Sequence, residues 1–173
     1  MLESVVECLV KRFMTPKDFA GRCAIIFLDV VLLVACFILA IALPGLVLVD
    51  FVILAVGVLL TALVFRNTNI EYEYTFFDGE LSIDKVMAKR TRKHLSTFMM
   101  GKMEYMAPLG SSHVRISRNE HKVCDYSTRH PEDVPFVAVL YDDKEKMVEL
   151  RFSPNEELIE RLSKTYPRKV YMD

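Results

Sequence analysis

Lys89-Arg90-Thr91-Arg92-Lys93-His94 is the strongest polar cluster in the chain, with Lys85 close before it. Cations grouped on one hairpin can hold phosphates or acidic side chains. Near an anionic leaflet each contributes about 1 kcal/mol. Lys85, Lys89, Arg90, Arg92, Lys93 and His94 are therefore the candidate lipid- or partner-binding residues. A run of this length also serves simply to keep a hairpin tip solvated. A second group, His113, His121, Cys124, Asp125 and His130, has side chains of the metal-ligating types. Its spacing contains no tight His-x-x-His or Cys-x-x-Cys pair, so no metal and no cofactor is expected. Cys124 beside a histidine offers a nucleophile and a base, yet no glycine-rich turn adjoins it to hold an oxyanion. No P-loop, dinucleotide fingerprint, zinc-protease helix or nucleophile elbow occurs. The reading is of a protein that binds and does not catalyse.

Asp29 and Asp50 are candidates for a different reason: they lie inside the apolar run from Cys23 to Phe65. A bilayer core about 30 Å thick takes roughly 20 apolar residues as helix. Pro44-Gly45 divides the run into Cys23–Leu43 and Leu46–Phe65, and each half fits. The pattern predicts a transmembrane hairpin. Facing residue numbers in it total about 89, which sets Asp29 against Leu60 and Thr61. Asp29 then lies roughly 9 Å from the cytosolic end, and Asp50 roughly 6 Å from the outer end. The two acids cannot pair, and two helices enclose no proton path. Asp29 is expected to be uncharged or hydrogen-bonded to Thr61, and Asp50 to be interfacial. An alternative gives Asp29 an oligomer contact, with Cys36-x-x-x-Ala40 allowing close approach.

Lys11, Arg12, Lys17 and Arg22 precede the spans, Arg66 follows them, and the turn carries no Lys or Arg. Positive flanks stay inside, so both termini are expected on the cytoplasmic face of the cell membrane. Cys8, Cys23, Cys36 and Cys124 show no paired spacing, which suits a reducing compartment. Leu33-Val34-Ala35-Cys36 and Ala40-Ile41-Ala42 mimic processing sites, but the apolar run continues past both. Acidic and basic residues cancel after Phe65, and the net charge is -1. That excludes a general nucleic-acid binder.

The elements that must position these residues follow from periodicity. Residues 2–14 read as an amphipathic helix, with Leu2, Val5, Val6, Leu9, Val10, Phe13 and Met14 on one face and Glu3, Glu7, Lys11 and Arg12 on the other. Thr15 caps the next helix and Pro16 opens it. After the spans the period becomes two: Ile70, Tyr72, Tyr74 and Phe76 alternate with Glu71, Glu73 and Thr75. Asp78-Gly79 turns the chain. Further strands are read at Leu81–Val86, His94–Met100, Met103–Ala107 and Lys122–Tyr126. A hairpin of Phe136–Tyr141 and Met147–Phe152 follows, across Asp142–Lys146. Ser153-Pro154-Asn155-Glu156 reads as a capping box before a last helix bearing Leu158, Ile159 and Leu162.

Tyr72 to Lys85, Lys89 to Lys93 and Met103 to Pro108 carry a resemblance. Together they resemble an uncharacterised family of small bacterial membrane proteins with two membrane helices and a cytoplasmic PH-like domain. The resemblance implies a fold and no activity. The expected class is a two-helix transmembrane hairpin plus a mainly antiparallel PH-like barrel or half-barrel of six or seven strands, closed by one C-terminal helix. Residues 1–15, 16–66 and 67–173 are the expected divisions. The expected role is a membrane-anchored binding or scaffold module on the cytoplasmic face. Membrane lipids and a protein partner or second copy would be its partners. The alternative is a small accessory subunit of a transporter or envelope complex, recognised through its helices.

Overall fold

A computed structural model describes residues 5–114, 121–142 and 146–173. The chain divides into two compact units: residues up to Phe13 with Glu71–Asp173, and Met14–Ile70.

The second unit is a helical hairpin. Helix α1 (Pro16–Ala42) starts where the sequence places it. The Thr15 hydroxyl accepts from the Asp18 N–H, and the Asp18 carboxylate accepts from the Thr15 N–H. A 3-10 turn at Pro44–Leu46 leads into α2 (Val47–Thr68). Both helices are long and apolar enough to cross a membrane. Along α1 only Cys36 is buried, as expected of a helix whose surroundings are apolar. Polar contacts fix the register of the pair. Arg22 Nε donates to Thr68 Oγ1 at 2.7 Å, its guanidinium lies 4.8 Å from the Phe65 ring centroid, and Thr61 donates to the Asp29 carboxylate. Gly57 permits close approach, since a Cβ there would lie 3.1 Å from Asp29 Oδ1 and 3.2 Å from Leu32 Cδ2.

The first unit holds two four-stranded sheets. Sheet 1 runs in the order β1 (Val6–Lys11), β2 (Ile70–Phe77), β3 (Glu80–Met87), β4 (Thr91–Met99). Sheet 2 runs β5 (Met103–Pro108), β7 (Phe136–Tyr141), β8 (Met147–Phe152), β6 (Lys122–Asp125). Strand β1 pairs antiparallel with β2, β3 with β4, β5 with β7 and β7 with β8, whereas β6 runs parallel to β8. The sheets do not close into a barrel, so this is a half-barrel arrangement of eight strands.

Strand β1 corrects the expected N-terminal helix. Val6 and Cys8 are buried while Glu7 and Leu9 are exposed, a period of two. The same residues also satisfy a helical spacing, and the free edge of β2 decides between them. It supplies backbone partners from Val6 opposite Phe76 to Lys11 opposite Glu71. Leu2 and Glu3 of the expected helix lie outside the described residues, as do residues 143–145 of the last hairpin. Helix α3 (Glu156–Thr165) also starts later than its expected cap. Asn155, not Ser153, accepts from the Leu158 N–H at 2.9 Å, while the Ser153 hydroxyl accepts from the Thr128 N–H at 3.2 Å.

The core lies between the sheets, with Leu158 and Leu162 of α3 buried against it. Tyr74, Leu81, Ile83, Met103, Met106, Leu150 and Phe152 are almost fully buried. Tyr74 reaches from sheet 1 to sheet 2. Its hydroxyl donates to the Tyr126 carbonyl at 2.6 Å and accepts from the Ser153 N–H at 3.4 Å. Burial raises its phenol well above the usual range, so it remains a donor at every working pH. Tyr74→Phe removes the donor and leaves a carbonyl without this partner, at a cost of about 1–2 kcal/mol. Thermal unfolding in mild detergent should show a lower midpoint with an unchanged far-UV spectrum. An unchanged midpoint would mean the bond contributes nothing.

Candidate functional site

The basic run divides between a turn and a strand. Ala88 and Lys89 sit in the left-handed region, with φ of 49° and 58°, and the Arg90 N–H closes the turn on the Met87 carbonyl at 3.2 Å. Each non-glycine residue there costs about 1–2 kcal/mol. Arg92, Lys93 and His94 belong to β4, not to the tip. They stand opposite Val86, Lys85 and Asp84 respectively.

Acidic neighbours divide the candidates further. Arg92 Nη1 lies 3.2 Å from Glu73 Oε2, and His94 Nδ1 lies 2.8 Å from Asp84 Oδ1. Lys89, Arg90 and Arg92 line a groove of about 740 Å³ together with Glu7, Glu71 and Glu73. Leu9 and Val86 are its apolar lining residues. Glu71 and Glu73 are only 7% and 8% exposed, so these carboxylates are largely withdrawn from water. Glu73 Oε2 has the ion contact with Arg92 but no hydrogen bond of good geometry. Lys85 and Lys93 stand across from one another, two like charges side by side. The structure thus brings three of the six candidates into a mixed-charge groove and turns His94 to Asp84.

The sequence carries a signal for two of the missing acids. Glu71 and Glu73 alternate with buried tyrosines and must face outward from β2. Glu7 has no such signal until β1 is known to be a strand.

Beyond His94 the character of β4 changes. Leu95 to Met99 carries no charge, and β4 is the end strand of sheet 1. Ser96, Thr97, Phe98 and Met99 border a cavity of about 260 Å³ whose other wall includes Lys122, Leu140 and Val148 of sheet 2. The half-barrel is therefore open along a seam beside β4.

The other candidates separate. His121 Nε2 meets Glu149 Oε2 at 2.7 Å, His130 packs edge-on to Phe13, and His113 stacks on Tyr171. Cys124 is buried in β6, and Asp125 accepts from Ser127 and from Arg129 Nε. In the helical unit Asp29 is bonded to Thr61, as its facing position suggests. Asp50, expected at the interface, is 5% exposed, and neither of its oxygens has a hydrogen-bond partner among the described residues.

Two packed, mainly antiparallel sheets followed by a C-terminal helix, with a long apolar hairpin inserted after the first strand, define a PH-like module that carries helices of membrane type. Residues 2–172 match the family described as bacterial PH-like domain (DUF6106), and the chain belongs to it. No curated protein and no solved structure matches.

The turn offers a direct check. Lys89→Gly relieves a positive φ and should stabilise the two-sheet unit by about 1 kcal/mol. Chemical denaturation should show a higher midpoint for this variant. A lower midpoint would show that the Lys89 side chain holds the turn through contacts in the groove.

Proposed function

We propose that the protein is a membrane-anchored docking module, and that an extended segment of a partner protein seats along the second half of β4. One observation carries this reading: the end strand of sheet 1 runs uncharged from Leu95 to Met99 beside an open cavity. Exposed strand edges pair with added strands, and pockets alongside select the side chains. Arg92 and Lys93 at the start of β4 discourage indiscriminate edge pairing there. The adjoining groove would recognise charges of both signs. Glu7, Glu71 and Glu73 in it weigh against an anionic lipid surface as the main ligand of the basic run. The helices anchor the module, with both termini on the cytoplasmic face, and binding rather than catalysis is its task. The bond of Asp29 to Thr61 within one hairpin weighs against the accessory-subunit reading, in which Asp29 would be presented to another chain.

A photo-crosslinking residue tests this in cells. Placed at Met99, which is 51% exposed, it should yield a discrete protein adduct. Placed at Met172, which is 62% exposed, it should not. Equal adducts at both positions, or only lipid adducts at Met99, would overturn the reading.

A further inference from the structure

A cavity of about 490 Å³ is bordered by residues of β5, β7 and β8 and by the C-terminal segment. Its walls come from three distant parts of the chain. Tyr105 stands on β5 opposite Val139, just past a bulge that also brings Glu104 to the cavity. Tyr141 and Met147 stand opposite each other at the β7–β8 end. The C-terminal segment then lies alongside β5: the Met106 N–H donates to the Lys169 carbonyl at 2.7 Å, and the Tyr171 N–H donates to the Met106 carbonyl at 2.8 Å. This pairing carries Tyr171 to the cavity. His113 stacks on it with ring centroids 4.1 Å apart and planes 7° from parallel, which fixes the phenol plane.

The chemistry of these walls favours one kind of ligand. Three phenol rings line the cavity, one face of Tyr171 being covered by His113, and aromatic faces attract organic cations strongly when water is displaced. Glu104 supplies negative charge, and the Tyr141 hydroxyl donates to its Oε2 at 3.3 Å. That carboxylate raises the Tyr141 phenol above its usual range and keeps it protonated. Asp173 Oδ1 adds negative charge nearby, 3.6 Å from His113 Nε2. Among the described residues the lining contains no Lys or Arg to hold an anion. One lining carboxylate is too few for a calcium or magnesium ion, which takes several oxygens. The volume suits a small ligand.

We propose that this cavity binds an organic cation of the alkylammonium class, with its nitrogen over the tyrosine rings and beside Glu104. The same group occurs on free amines and on amine-bearing lipid headgroups. The site is separate in function from the β4 seam. Tyr141 borders both cavities, whereas Glu104 borders only this one.

Calorimetric titration of the full-length protein in an amine-free detergent with choline chloride tests the proposal. Choline should bind saturably, and 3,3-dimethylbutan-1-ol, its uncharged isostere, should bind at least about tenfold more weakly. Tyr141→Leu and Glu104→Gln, both at exposed positions, should each weaken choline by roughly three- to thirtyfold. Repeating the titration in phosphatidylglycerol nanodiscs, with and without phosphatidylethanolamine, separates the sources. Choline binding weakened by the amine lipid supports a headgroup ligand, and unaltered binding supports a free amine. No saturable heat with choline, equal affinity for the isostere, or wild-type affinity in both variants would overturn the proposal. None of these results bears on crosslinking at Met99.

Discussion

Tyr74 holds together two sheets that share no hydrogen-bonded strand. A closed barrel distributes that task around its circumference, but this half-barrel relies on side chains crossing the core and on isolated backbone bonds such as that from the Phe13 N–H to the Thr128 carbonyl. The Tyr74 ring packs edge-on to Phe152 at 5.7 Å, and its hydroxyl bonds the backbone beyond both β6 and β8. Tyr126, whose carbonyl receives that bond, sends its own ring against Tyr72 at 5.7 Å and its hydroxyl to Ser96 at 3.3 Å. The contacts thus tie β2, β4 and the chain after β6 to one another. Because such links act at points, the edges between them stay open. The seam beside β4 is a consequence of joining sheets in this way.

What the sequence discloses depends on how far apart in the chain the deciding partner lies. Strand β2 is legible because Tyr72, Tyr74 and Phe76 alternate with polar residues over enough length to exclude a helix. The Asp78-Gly79 turn is legible because both residues tolerate positive φ, and they take 47° and 77°. The Thr15 cap is legible because its partner Asp18 is three residues away. Strand β1 is not, because its short pattern fits two periods and its partner β2 follows the whole apolar hairpin. Parallel pairing of β6 with β8 is hidden for the same reason. The α3 cap moves by two residues because Ser153 has a competing partner in Thr128, which no local pattern contains.

The same distance rule governs the candidate sites. The basic run is visible as composition, but its electrostatic character is not. Whether Arg92 faces water or a carboxylate depends on β2 lying two strands away in the sheet, with Glu73 on the outer face. The structure converts an apparent cationic patch into a groove of mixed sign. The tyrosine-lined cavity leaves no trace in any local window, because Tyr105, Tyr141 and Tyr171 come from two strands and the C-terminal segment. Asp29 is the opposite case. A hairpin constrains its two helices so tightly that simple counting from the turn finds Thr61.

Charge distribution also decides what kind of partner such a module suits. A bilayer of anionic lipid presents one sign over a wide area, and a cationic patch gains from it in proportion to its uncompensated charge. Each carboxylate among the cations subtracts from that gain while leaving short-range, directional contacts intact. Glu7, Glu71 and Glu73 beside Lys89, Arg90 and Arg92 therefore leave the groove little uncompensated charge for general attraction to such a surface. A module anchored in a bilayer by its own helices, as proposed, has no need of general attraction. Holding a site close to its target raises its effective concentration, which reaches the order of millimolar where a short flexible linker joins two binding modules. Weak, selective contacts at the proposed strand edge and aromatic cavity would then be enough to select a ligand.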